Sequence, residues 1–176
     1  AKQFCYEEGV KVPLIISWPR GKEYLELGGK RRSDLVNCID VAAVTLGLVD
    51  IPVPSYMEGK DLFHEEYEAR PFVVSARDRC DYTIEQIRSI RSKKFRYIKN
   101  YKTDRSLLQP QYRDHYATML NYKELYQQGK LSEVQSWGFA KRQAEELYDM
   151  EKDPYQINNL ANDPKYYDVV KTHRDY

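Results

Sequence analysis

The sequence predicts an α/β piece over residues 1–70 followed by a small α+β piece over 71–176 built on an antiparallel sheet. Three observations predict it. The apolar run Val12–Trp18, closed by Pro19, reads as a buried strand. A helical pattern from Ser33 follows it, and strand then amphipathic helix is α/β grammar. Beyond Pro71 come short alternating segments separated by turn residues, which read as antiparallel strands. The seam falls in the connector 53–70, with Pro54, Gly59 and the acidic residues Asp61, Glu65, Glu66 and Glu68.

In order, Lys2–Lys11 is a polar, charged loop that feeds the Val12–Trp18 strand. Loops at strand ends are where scaffolded chemistry tends to sit, although this one also reads as an ordinary solvated loop. A Gly- and charge-rich loop over 19–32 contains Gly28-Gly29. Ser33 reads as a helix N-cap with Asp34 in the first turn, and Leu35, Ile39, Ala42, Leu46 and Val49 form one apolar face. Pro52 and Pro54 end that helix. The strand has no sheet of its own upstream, so the chain is expected to lack a preceding part of its domain.

In the second piece, Pro71–Ser75 reads as a strand, and Gln86–Ile90 with Phe95–Tyr101 as a hairpin around Ser92-Lys93-Lys94. Phe95, Tyr97, Lys99 and Tyr101 alternate with Arg96, Ile98 and Asn100, which makes one face aromatic. Residues 107–131 read as helical, with Gly129 in the C′ position. Tyr112, Tyr116, Met119 or Leu120, and Leu125 or Tyr126 form its stripe. Ala144–Met150 reads as an edge strand and Asp153-Pro154 as a turn. Asp163 and Pro164 start a last helix whose buried stripe is Tyr166, Val169, Val170 and His173.

Composition narrows the classes. The chain has 176 residues, 41% of them hydrophobic and 13% aromatic, enough for a core. Basic and acidic residues balance at 28 and 27, which argues against a nucleic-acid partner. No stretch approaches the ~20 apolar residues of a membrane span, and no signal-peptide pattern is present. Three cysteines at unpatterned spacings give no disulfide framework, and no Cys or His pair has metal-ligand spacing. The 16 tyrosines suit sugar binding and suit half-buried packing equally.

Lys2, then Tyr6-Glu7-Glu8-Gly9-Val10-Lys11-Val12-Pro13-Leu14-Ile15-Ile16, resembles the sulfatase segment that follows the metal-binding Asp-Asn or Asp-His pair. Ser33-Asp34-Leu35-Val36 with Ile39-Asp40-Val41-Ala42 resembles a sulfatase helix, and Gly59-Lys60-Asp61-Leu62 a sulfatase turn. Glu146–Pro154 with Asn159-Leu160-Ala161 resembles the signature near the sulfatase C-terminus. Arg88-Ser89-Ile90 and Pro110–Arg113 are similar to the sulfamidase-like, or heparan N-sulfatase-like, subgroup. None of Cys5, Cys38 or Cys80 begins the Cys/Ser-x-Pro/Ala-x-Arg motif that supplies the family's formylglycine.

The resemblance therefore implies the C-terminal portion of an alkaline-phosphatase-like sulfatase. Its implied cofactors are Ca²⁺ and formylglycine, both bound outside this chain. The implied partners are a sulfated carbohydrate and the N-terminal part of the same sulfatase, with no nucleic acid and no membrane. A periplasmic, secreted or lysosomal location goes with them.

Lys2 stands where the family's Lys contacts the sulfate group, as a point charge on the sulfuryl oxygens. Arg77-Asp78-Arg79 is expected on a loop after the Pro71–Ser75 strand, matching a pocket-lining loop of sulfamidase-like enzymes. It reads either as a fork-and-acceptor set for a sugar or as a solvated turn. Glu7 and Glu8 read as supports of the Lys2 loop or as solvated residues. His64 and His115 are set aside, because a lone His is more often structural. Two rivals stand beside the sulfatase reading: a non-catalytic carbohydrate-binding or scaffolding fragment, and a related phosphoesterase or phosphonate hydrolase.

Overall fold

The computed structural model describes residues 3–18, 28–80 and 82–176, in two compact units. Val12–Val73 forms one; the segment up to Lys11 joins Val74–Tyr176 in the other. Lys2 and most of the expected 19–32 loop lie outside the described residues. In chain order the helices are α1 (Glu7–Val10), α2 (Asp40–Gly47), α3 (Ala117–Gln127), α4 (Glu133–Ser136) and α5 (Tyr167–Asp175). The strands are β1 (Phe72–Cys80), β2 (Thr83–Ser92), β3 (Phe95–Asn100) and β4 (Glu145–Asp149). Among the described residues no helix is long and apolar enough to cross a membrane.

In the Val12–Val73 unit, two expectations are corrected. The Val12–Trp18 run is not a buried strand: it is in no ladder, and Val12 and Ile15 are 65% and 88% exposed. A strand needs a hydrogen-bonded neighbour, and every described strand pairs within the four-stranded sheet instead. The helix expected from Ser33 starts at Asp40. The Asp40 carboxylate is buried and reaches back to accept from the Asn37 N–H at 2.8 Å, in the turn before the helix. It also accepts from the Lys60 N–H at 2.8 Å and from Arg70 Nη2 at 2.5 Å. Burial pushes this carboxyl up, but those donors more than offset it and hold it below the ordinary aspartate value. The buried face of α2 is Asp40, Ala43 and Val44 rather than the expected stripe, and Ile39 and Val49 stay exposed. Gly59 closes this arrangement, because a Cβ there would lie 2.3 Å from the Ile39 carbonyl oxygen.

The second unit follows its sequence pattern closely. The sheet order is β1-β2-β3-β4, with β2 antiparallel to β3 and β3 antiparallel to β4. The expected hairpin turns at Ser92, whose hydroxyl accepts from the Phe95 N–H at 3.1 Å. β4 is the expected edge strand, and Asn159 stops its edge from hanging open. The Asn159 side chain accepts from the Leu147 N–H at 2.9 Å and donates to the Glu145 carbonyl at 3.0 Å.

The aromatic face of β3 packs on α5: Tyr97, Leu147 and Val170 form a buried cluster with Phe95, Tyr166 and Val169 around it. Asp163 and Pro164 start a short 3-10 turn, Pro164–Tyr166, that leads into α5, with the Asp163 side chain accepting from the Lys165 N–H at 3.0 Å. On the same face Arg174 bonds Glu145 at 2.7 and 2.8 Å, and this holds the Glu145 carboxyl down at about 2.

α3 ends as expected in a Schellman motif. Gly129, at φ +65°, donates to the Tyr126 carbonyl and Lys130 to the Leu125 carbonyl, both at 3.0 Å. Its stripe is not fully buried, however: Tyr112, Tyr116, Leu120 and Tyr126 are exposed and the alternatives Met119 and Leu125 are half-buried. Phe139 provides a narrow support, stacked on Tyr126 at 4.1 Å and tilted on Tyr122 at 4.9 Å.

Candidate functional site

The other face of the sheet is polar, and the chain's first described residues dock on it. Strand alternation with the observed register places Glu85, Ile87, Ser89 and Arg91 of β2 on that face. Arg96, Ile98 and Asn100 of β3 and Glu146 and Tyr148 of β4 complete it. Cys5, Ile87, Ile98, Leu107 and Tyr148 make its apolar centre, with Phe4, Tyr6 and Met150 packed against it. The polar groups around that centre mostly grip residues 4–7.

Arg96 is 3% exposed and holds the segment at two points. Its Nη2 bonds Glu7 Oε2 at 2.5 Å, and its Nη1 donates to the Cys5 carbonyl at 3.2 Å and to Ser89 Oγ at 2.9 Å. Arg91 adds a contact to Glu7 at 3.3 Å. Burial raises the Glu7 carboxyl, but Arg96, Arg91 and Lys11 outweigh it and lower it overall. The Gln156 side chain, on a turn residue at φ +58°, accepts from the Glu7 N–H at 2.6 Å.

Tyr6 donates to Glu146 Oε2 at 2.8 Å and lies 3.1 Å from Oε1. Tyr148 donates to Oε2 at 2.7 Å and Asn100 to Oε1 at 2.5 Å. Burial pushes the Glu146 carboxyl up despite these donors, and burial beside it pushes the Tyr6 phenol well up. The Tyr6 ring meets Trp137 edge-on at 4.8 Å.

The expected site residues fall in different places. Lys2 lies outside the described residues, two positions before Phe4. Arg77, Asp78 and Arg79 are on β1 rather than on a loop. Cross-strand partners keep the strand running past Ser75: Asp78 pairs with Arg88 of β2 at 2.7 and 3.2 Å. Alternation then sends Arg77 and Asp78 to opposite faces. Arg77 is 6% exposed; it donates to Thr83 Oγ1 at 2.9 Å and lies 4.9 Å over the Phe4 ring. Its Nε and Nη1 have no protein partner. Asp78 and Arg79 are exposed. Glu7 is bound and Glu8 is exposed.

The residues that sequence reasoning passed over are Tyr6, Arg96, Glu146 and the buried ion pair Glu85–Arg142. Arg142 bonds Glu85 at 2.6 and 3.0 Å. The available signal was an acidic residue inside a strand pattern, at Glu146; Glu85 lies just before the expected Gln86–Ile90 strand and carried none.

The described residues do not fit a metal centre: no three His, Cys, Asp or Glu side chains among them lie close enough to hold one ion. Cys5 is a core residue whose thiol burial pushes up, the opposite of an activated sulfur.

Residues 1–137 match the family described as N-sulphoglucosamine sulphohydrolase, C-terminal. The chain belongs to this family. An ulvan-active sulfatase of Formosa agariphila is 32% identical over 170 residues, covering 94% of this chain and 28% of that protein. The human N-sulphoglucosamine sulphohydrolase is 25% identical over 188 residues, covering 97% of this chain and 36% of that protein. This sulfatase C-terminal chain thus spans about a third of the length of the curated relatives it matches. A solved 2-O GAG sulfatase aligns with a TM-score of 0.54 at 23% identity, over 83% of this chain and 25% of that one, which shows the fold. The α+β architecture with an antiparallel sheet is therefore that of a sulfatase C-terminal region.

Proposed function

We propose that the sulfatase C-terminal chain is part of an enzyme that hydrolyses sulfate esters or N-sulfate groups on a sugar or glycosaminoglycan. The family match over residues 1–137 carries this reading. The two relatives, one named for ulvan and one for N-sulphoglucosamine, support a sulfated carbohydrate as substrate. Calcium and formylglycine would be held by residues outside this chain, where they would supply the electrophilic metal and the nucleophile. The exposed apolar run Val12–Trp18 would pair with that remaining part of the sulfatase, because such an apolar surface marks an interaction site.

In this reading Lys2 sits on the sulfuryl oxygens as a point charge. Exposed Asp78 and Arg79 contact sugar hydroxyls and carboxylates, while Arg77 lies buried behind them with two donors that have no protein partner. Contacts to the sugar, unlike contacts to the sulfuryl group, are absent from a small aryl sulfate. Asp78→Ala and Arg79→Ala in the full-length enzyme should therefore each lower kcat/KM on a sulfated disaccharide by about ten- to a hundredfold and leave an aryl sulfate unaffected, each lost charged contact being worth about 1.5–3 kcal/mol. Steady-state kinetics on both substrates is the test. Equal losses on both would place these residues outside sugar recognition.

A further inference from the structure

The grip on residues 4–7 is more elaborate than a loop terminus needs. It consists of a guanidinium that binds both a carbonyl and a carboxylate, and a buried carboxylate that receives the Tyr6 hydroxyl between two further donors. Four residues before Tyr6 in the chain is Lys2. We infer that Tyr6, anchored by Glu146, is a positioning residue: it fixes the backbone from which Lys2 reaches the sulfuryl group. This inference rests on the proposed role of Lys2.

The chemistry supports that division of labour. Tyr6 is partly buried and the one proton of its hydroxyl is committed to Glu146, so it has no donor left for a substrate. The Tyr6 ring is braced by Trp137 at 4.8 Å and Tyr148 at 6.4 Å, which fixes its direction as well as its depth. Electrostatic stabilisation depends on a charge already held in place, and misplacement of about 1 Å can cost around a hundredfold in rate. A residue that sets backbone pose therefore acts on turnover and not on substrate affinity.

The test uses full-length enzyme and four variants: Tyr6→Phe, Lys2→Ala, the double variant, and Tyr97→Phe. Tyr6→Phe keeps the ring and removes only the hydroxyl. Tyr97→Phe removes a buried hydroxyl bonded to Glu145 on the opposite sheet face, and controls for loss of stability. Tyr6→Phe should lower kcat roughly tenfold with KM unchanged. Tyr97→Phe should lower the melting temperature as much and leave kcat alone. In the Lys2→Ala background Tyr6→Phe should have no further effect on kcat. An undiminished effect in that background, or equal kcat losses in Tyr6→Phe and Tyr97→Phe, overturns the positioning role while Lys2 keeps its own. Wild-type turnover in Lys2→Ala overturns both together.

Discussion

Lys2→Ala in the full-length enzyme should lower kcat by about a hundredfold or more and leave the melting temperature unchanged. Charge grows on the oxygens around sulfur as the bond to the leaving group breaks. A cation held there stabilises the transition state more than the bound substrate, so its loss appears in kcat more than in KM. Lys2→Arg should restore only part of the rate, because a planar fork does not place its charge where an ammonium does. Stability is expected to be spared because the substitution leaves the described anchors of the segment, Phe4, Cys5, Tyr6 and Glu7, in place. Steady-state kinetics and a thermal melt on the three proteins check both halves. Wild-type kcat in Lys2→Ala would make the resemblance of residues 6–13 a matter of fold alone.

The largest stability effect should come from Arg142. Its guanidinium and the Glu85 carboxylate are 3% and 0% exposed as side chains and face each other at 2.6 Å. Removing the cation alone leaves a charge buried without a counter-ion, which costs about 3–5 kcal/mol. Arg142→Met should therefore strongly lower the midpoint of thermal or urea unfolding. Replacing both partners, with Glu85→Leu and Arg142→Met, should recover most of that loss, since a well-packed apolar pair of similar volume is often neutral or stabilising. Unfolding curves of the wild type, the single variant and the double variant decide it. A double variant as unstable as the single one would mean that the pair's other bonds, from Arg142 to the Arg105 and Lys102 carbonyls, carry the stability.

The reliable parts of the sequence reading were those whose signals are local. Ser92-Lys93-Lys94 between two alternating runs specifies the hairpin, Gly129 specifies the end of α3, and Asp163-Pro164 specifies the 3-10 turn that leads into the last helix. Each needs only a few neighbouring residues to act. The apolar pattern of Val12–Trp18 was equally clear, yet pairing depends on another strand, and the run is exposed here. The helix start moved from Ser33 to Asp40 because Asp40 is tied to Lys60 and Arg70, contacts that no window around Ser33 contains.

The site was less legible than the fold for a similar reason. Alternation in β4 puts Leu147 on one face and Glu146 with Tyr148 on the other, and an acidic residue there suggests solvent. Both faces of β4 are in fact covered, by α5 on one side and by residues 4–7 on the other. Glu146 is buried because Tyr6, 140 positions away, brings its hydroxyl to it. Arg77-Asp78-Arg79 was expected on a loop after a strand ending at Ser75, but partners on β2 make it strand.

The central claim is that the full-length protein containing this chain is a hydrolase of sulfated sugars. Its most direct test is inorganic sulfate released from N-sulfated and O-sulfated disaccharides by the purified full-length enzyme, with a phosphomonoester and a phosphonate monoester as competing substrates. The account predicts sulfate release from at least one sulfated disaccharide, with kcat/KM well above that on either phosphorus ester. Binding of the disaccharides without sulfate release, or faster turnover of a phosphorus ester, would contradict it.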